Sequence, residues 1–334
     1  MWSIDNRTPY AAGKSWGRDK DGVHQWIVSV KATFDLPADG RLRLCDEQPA
    51  PLLVPEYHGE PGLSSLRYDS ELVAAKPGTD ILVNGSAHAP QGRPSSEFVV
   101  GLQAGRVRKT LLVRGNRCWE KGAFGRRISR ARPVTSVPLV YERAFGGYDA
   151  SASDVREHCL DSRNPVGCGL TDAAVGPGEL ALPNFEYPGG RPAKDGPAGF
   201  GPLDAQWSPR RELMGTYDAA WQATRLPLLP NDWHPDSQMC APADQRPSNP
   251  FWGGEPVELL NLSAGGVLRF TLPRIHLAFT TEIDGRVEEH RGRLASVIVE
   301  PDASRLMMVW TTTLAVRNEG DYLERTIVRE KRGA

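Results

Sequence analysis

The chain has 334 residues, with 40 Lys and Arg against 41 Asp and Glu, for a formal net charge of −1. That balance leaves no global positive field to hold nucleic acid or an anionic membrane surface. Hydrophobic residues at 40% and charged residues at 24% are the proportions of a folded chain with a core, enough for one large domain or two ordinary ones.

The opening Met1-Trp2-Ser3-Ile4-Asp5-Asn6-Arg7 lacks the apolar core of a secretory leader. The longest weakly charged apolar stretch, Leu306 to Val316, is about half of what a membrane-spanning helix needs. Five cysteines are scattered without a Cys-x-x-Cys pair, so reduced thiols in a cytoplasmic protein are the simplest reading.

The first third reads as antiparallel sheet. From Trp26 to Phe34 the residues alternate, with Trp26, Val28, Val30, Ala32 and Phe34 on one face and Ser29, Lys31 and Thr33 on the other. Asp39-Gly40 offers a type I′ turn, returning Arg41 to Cys45 as a partner strand. Asp80 to His88, Glu97 to Leu102 and Arg106 to Val113 are further strands, the last two joined through Ala104-Gly105.

The middle, roughly residues 126 to 256, holds most of the prolines and lacks long periodic segments. It nonetheless keeps Trp207, Trp221, Trp233, Phe251 and Trp252. Linkers are poor in aromatics, so this stretch is expected to form long packed loops. One short helix is predicted from Thr216 to Arg225, with Tyr217 and Trp221 stacked on one face and Pro227 as its stop. Arg126, Arg127, Arg130 and Arg132 read as a solvated basic loop.

The end of the chain returns to strands: Val267 to Leu272, Ile275 to Ile283, Arg286 to His290 after the turn Asp284-Gly285, Leu294 to Glu300, and Arg305 to Val316. The pattern predicts a mostly β protein of antiparallel, sandwich-like sheets with little helix. Residues 1–125 would form an N-terminal β part, 126–256 a loop-rich aromatic middle, and 257–334 C-terminal strands packed with the first part.

Motifs for chemistry are weak. Gly13-Lys14-Ser15 lacks the earlier glycine and the preceding strand of a phosphate loop, and Gly-x-Ser-x-Gly does not occur. His158-Cys159 places a base beside a thiol, but adjacent residues do not generally face each other. Asp232, His234 and Asp236 alternate and form the best metal-site candidate, with Asp244 nearby; the plainer account is a loop whose side chains cap their own backbone. A metal-dependent or carbohydrate-active hydrolase centred on those three residues is the enzymatic alternative. No cofactor is implied.

Several segments resemble one family in order along the chain. Among them are Asn6-Arg7-Thr8-Pro9-Tyr10, Val30-Lys31-Ala32-Thr33-Phe34, Asp80-Ile81-Leu82-Val83-Asn84-Gly85, and Pro138 to Gly147 with Tyr141, Arg143 and Phe145. Asn164-Pro165-Val166-Gly167, Leu182-Pro183-Asn184-Phe185-Glu186, Gly199-Phe200-Gly201-Pro202, Gly215-Thr216-Tyr217-Asp218 and Leu229-Pro230-Asn231-Asp232 follow. Together they resemble the family of domain of unknown function 2169, found beside type VI secretion genes. The resemblance implies a non-enzymatic adaptor or chaperone that binds a secreted effector and helps load it onto the secretion spike. A structural part of that apparatus is a further alternative. The expected cargo-binding residues are Arg143, Phe145, Trp207, Trp221 and Trp233, on the argument that proline-stiffened, aromatic loops on a rigid scaffold suit protein recognition; the alternative for each Trp is a place in the core of the loop region.

Overall fold

A computed structural model describes residues 2–74, 76–122, 125–150, 153–170, 180–316 and 323–331. Strands make up 43% of the chain and helices 11%, so the mostly β, largely antiparallel expectation holds. The principal strands begin with β1 (Ser3–Asn6), β2 (Ala11–Arg18), β3 (His24–Asp35), β4 (Arg43–Leu44) and β5 (Asp80–Val83). Next come β6 (Glu97–Ala104), β7 (Val107–Arg114), β8 (Phe185–Glu186), β9 (Pro256–Leu260) and β10 (Val267–Thr271). The last are β11 (Leu277–Ile283), β12 (Arg286–Arg291), β13 (Arg293–Glu300), β14 (Arg305–Val316) and β15 (Leu323–Glu330). No helix among the described residues is long and apolar enough to cross a membrane.

Three sheets share one apolar core. A six-stranded sheet runs β2-β3-β14-β13-β5, with β4 paired to β3. Its centre is the antiparallel pair of β3 and β14, registered from Asp35–Arg305 to His24–Val316. A four-stranded sheet runs β1-β15-β11-β12 and a five-stranded one β8-β7-β6-β9-β10. Val28, Val30 and Met308 from the first, Phe279 and Val328 from the second, and Val100, Leu111 and Leu259 from the third belong to one buried cluster.

Strands β5 and β13 of the large sheet are buried on both faces. Ile81 and Val83 of β5 join the main core, while Leu82 packs with Tyr68, Cys240, Ala241, Ile298 and Met307 on the opposite side. This is why β5 and β13 read as continuous apolar runs. The polar face of β3 is also buried, under residues 48–72. Ser29 Oγ donates to the Glu71 carbonyl at 2.6 Å, Lys31 Nζ to Glu71 Oε2 at 2.9 Å, and the Gln48 amide brackets the Thr33 backbone.

Local expectations fared unevenly. Asp284 and Gly285 both have positive φ, as a type I′ hairpin turn requires. At the other hairpin only Gly40 does, so Asp39-Gly40 is not a type I′ turn; a Cβ at Gly40 would meet the Arg269 carbonyl oxygen at 1.9 Å. Asp80 to His88 is two strands, because Gly85 at φ 149 redirects the chain before Ser86–His88. Strands β1, β2, β8, β9 and β15 lie outside the strands expected from the sequence.

Two buried polar groups join distant parts of the fold. Asp80, fully buried on β5, pairs with Lys76 at 2.7 Å and accepts from the Cys240 and Ala241 amides at 3.0 and 2.9 Å. Burial alone would push its carboxyl up; Lys76 and those amides outweigh it and hold it below the usual range. Elsewhere a chain of bonds crosses between sheets. The Trp26 indole donates to Thr326, Thr326 meets Thr281 at 2.9 Å, and His290 lies 2.7 Å from both Thr281 and Thr312.

Two consequences are measurable. Replacing Asp80 with Asn leaves the Lys76 charge uncompensated and should cost about 3–5 kcal/mol, with part recovered in the double variant Lys76→Met/Asp80→Asn. Equal denaturation midpoints for wild type and Asp80→Asn would contradict this. Burial lowers His290 to about 4. The unfolded chain takes up that proton from about pH 6.5. Stability should therefore decline between about pH 6.5 and 4, by an amount on the order of 2–3 kcal/mol, and level off below. Urea midpoints across that range should fall less steeply in His290→Gln; identical slopes would show that His290 does not carry the effect.

Candidate functional site

The five residues expected to bind a partner fall into two groups. Trp207 is only 6% exposed. Its ring meets Tyr141 edge-on at 5.6 Å, in a small core with Ala144 and Leu203. Phe145 is 7% exposed, and its carbonyl accepts from the buried Asn164 amide at 3.0 Å. Both are packing residues of the loop region, a correction to the expectation that they lie open to a partner. Arg143 is exposed.

Trp221 and Trp233 are half-buried on one excursion of the chain. Residues 213–234 form one long loop whose ends meet. The His234 amide donates to the Leu213 carbonyl at 2.8 Å and closes the neck. Just above it, Asp232 accepts from the Thr216 amide at 3.0 Å and from the Thr216 hydroxyl at 2.8 Å. These bonds hold the Asp232 carboxyl below its ordinary range.

The crown of the loop is the helix α1 (Ala219–Thr224). Asp218 caps it, accepting from the Trp221 amide at 2.8 Å. The chain turns back after Arg225, so the helix is shorter than expected. Tyr217 and Trp221 meet edge-to-face at 4.8 Å, not stacked. The Trp221 indole N–H donates to the Leu228 carbonyl at 2.8 Å and so locks the crown onto the returning strand of the loop. The crown rests on the turn between β2 and β3. Arg225 donates to the Lys20 carbonyl, and Leu228 packs at Gly22.

Thr216, Asp218 and Asp232 thus bond within the loop, while some of its large apolar side chains are left outside. Tyr217 is 53% exposed and Leu226 58%, and Val23 on the supporting turn is 43% exposed. This arrangement can bury apolar area against another protein at little ordering cost, since the neck and crown are already fixed. Position alone could not distinguish Trp207 from Trp221 in the sequence. What decides is a long-range contact, the Tyr141 ring, which only the fold supplies.

The alternative metal site does not assemble. Asp232 is engaged by Thr216, and His234 Nδ1 accepts from the Asp236 amide at 3.2 Å as the cap of a short turn. Asp244 lies elsewhere, between Lys109 Nζ at 2.8 Å and the Tyr187 hydroxyl at 3.3 Å. Burial lowers Lys109 to about 8 in spite of that carboxylate. Among the described residues, no group of three or more His, Cys, Asp or Glu is placed to hold a metal ion. Gly13-Lys14-Ser15 lies within β2, so it is no phosphate loop. His158 bonds to Tyr148 at 2.7 Å.

Arg127, Arg130 and Arg132 do gather along one groove of about 800 Å³ with Glu120, which pairs with Arg127 at 2.8 Å. The side chain of Arg126 lies outside the described residues.

No curated protein and no solved structure matches the chain. A family model described as an uncharacterised protein conserved in bacteria, domain of unknown function 2169, matches residues 21–311. That match covers β3 to β13, the start of β14 and the 213–234 loop, and the chain belongs to the family of domain of unknown function 2169.

Proposed function

We propose that this protein is an adaptor that holds a type VI secretion effector through the 213–234 loop and helps load it onto the secretion spike. The observation that carries the binding part is the exposure of Tyr217 and Leu226 on a loop whose neck and crown are fixed by its own hydrogen bonds, with Val23 exposed on the turn beneath it. Large apolar side chains held rigidly in water are the usual material of a protein-recognition patch. The secretion context comes from the resemblance of the ordered segments quoted above.

Truncation should separate the two groups of aromatic residues. Trp207→Ala removes a core ring and should destabilise the protein by about 3–5 kcal/mol. Tyr217→Ser and Leu226→Ser should leave the melting point within a degree or two of wild type, since surface changes away from buried features cost little. Coexpressed with an effector encoded in the same genome, the folded Tyr217→Ser/Leu226→Ser variant should lose copurification by at least about tenfold. Undiminished capture by that variant would remove the loop from the binding surface.

A further inference from the structure

A second feature lies apart from the loop and shares no residue with it. Where β14, the start of β11 and the start of β13 approach residues 251–252, the core leaves a hole of about 180 Å³. Its walls are Phe251, Ile275, Leu277, Leu294 and Trp310. All five are buried side chains, and Trp310 is backed by the Tyr10 ring at 6.5 Å. An apolar cavity of about 150 Å³ is large enough to take a benzene ring.

The hole is open on one side, and its mouth has a definite chemistry. His276, Arg291 and Lys331 line it, all three exposed, and no carboxylate among the described residues does. Nearby Glu330 is engaged by the Tyr10 hydroxyl at 3.0 Å. Beside the mouth stands Trp252, 60% exposed. Its backbone is fixed, because its amide donates to Glu255 Oε1 at 2.9 Å.

Two backbone features border the mouth. The Lys331 amide donates to the His276 carbonyl at 2.8 Å, which ties the end of β15 to the connection before β11. Gly292, which also lines the cavity, crosses directly over Phe279, where a Cβ would sit 2.5 Å from the ring. An exposed indole beside a ring-sized apolar hole whose mouth carries Arg291 and Lys331 is complementary to an apolar ring or branched side chain flanked by carboxylates.

We infer that this cavity is a docking site for an acidic segment of a partner polypeptide, which inserts a Phe or Leu side chain beside Trp252 and sets its carboxylates against Arg291 and Lys331. The insertion buries apolar area that the cavity walls already present, and the rim fixes which flanking residues are accepted. Because carboxylate–cation contacts at an exposed rim are screened, the affinity should fall as salt rises.

The probe is a fluorescein-labelled peptide, Gly-Asp-Glu-Phe-Asp-Glu-Gly, titrated with the full-length protein and read by anisotropy. Saturable binding is expected, weakened at least about tenfold by Trp252→Ala and by Arg291→Glu/Lys331→Glu, retained in Trp252→Phe, and unchanged in Tyr217→Ser/Leu226→Ser. Melting curves check that each variant is folded, and the charge-reversal pair carries the test if Trp252→Ala is not. The inference is overturned by any of four results: no saturable binding, equal binding of peptides with Lys for Asp and Glu or Ser for Phe, wild-type binding by the folded variants, or displacement by free phenylacetate at concentrations below those of the peptide. The loop variant separates the two sites, so failure here leaves the adaptor reading standing and failure of that reading leaves this one.

Discussion

The Asp80 carboxylate is the most deeply buried charge by which the loop-rich middle is fastened to the sheets. It sits on β5 at the edge of the six-stranded sheet, with no exposed surface, and faces Lys76 on one side and two backbone amides of residues 240–241 on the other. A buried charge of this kind is costly unless every lone pair is met. Here each oxygen has a partner, and meeting those demands forces the segment near Cys240 to lie against Leu82 and Ile298. That covers the second face of the sheet and lets β5 and β13 be apolar on both sides.

The same logic extends through the middle of the chain. Long loops cannot satisfy their backbones by ladders, so buried side chains must do it. Asn164 donates to the Tyr141 and Phe145 carbonyls, Gln245 to those of Ile81 and Phe200, and Arg210 to those of Leu203 and Ser237. These side chains replace the regular hydrogen bonds of a sheet, and they explain how so proline-rich a segment stays packed. The 213–234 loop is the part where the inward bonding closes on itself and apolar groups are left facing out.

Much of the sheet was legible because its signals are local. The alternation in β3 and the apolar run of β14 are sufficient to identify both, and Asp284-Gly285 marks its own turn. Strand β2 was not legible: Ala11-Ala12-Gly13-Lys14-Ser15-Trp16 has no alternation, since this edge strand is only half-buried. Strand β15 was hidden by its charges, for only Leu323, Thr326 and Val328 face inward. The site was less legible still. Trp207 and Trp221 are the same residue type in similar surroundings, and their opposite fates depend on Tyr141 in one case and on the Leu228 carbonyl in the other. Trp252 carried no motif beyond the glycines that follow it, and its neighbours at the cavity come from four distant parts of the chain.

These observations make recognition by a preformed loop the central claim. Binding to such a surface should change the protein little, because the neck bond and the Asp232–Thr216 contacts already fix the backbone. Hydrogen–deuterium exchange of the protein alone and in complex with a coexpressed effector tests this most directly. The account predicts added protection in residues 213–234 and in the turn between β2 and β3, with the sheets unchanged. Protection confined to the terminal sheets, with the loop exchanging as in the free protein, would contradict it.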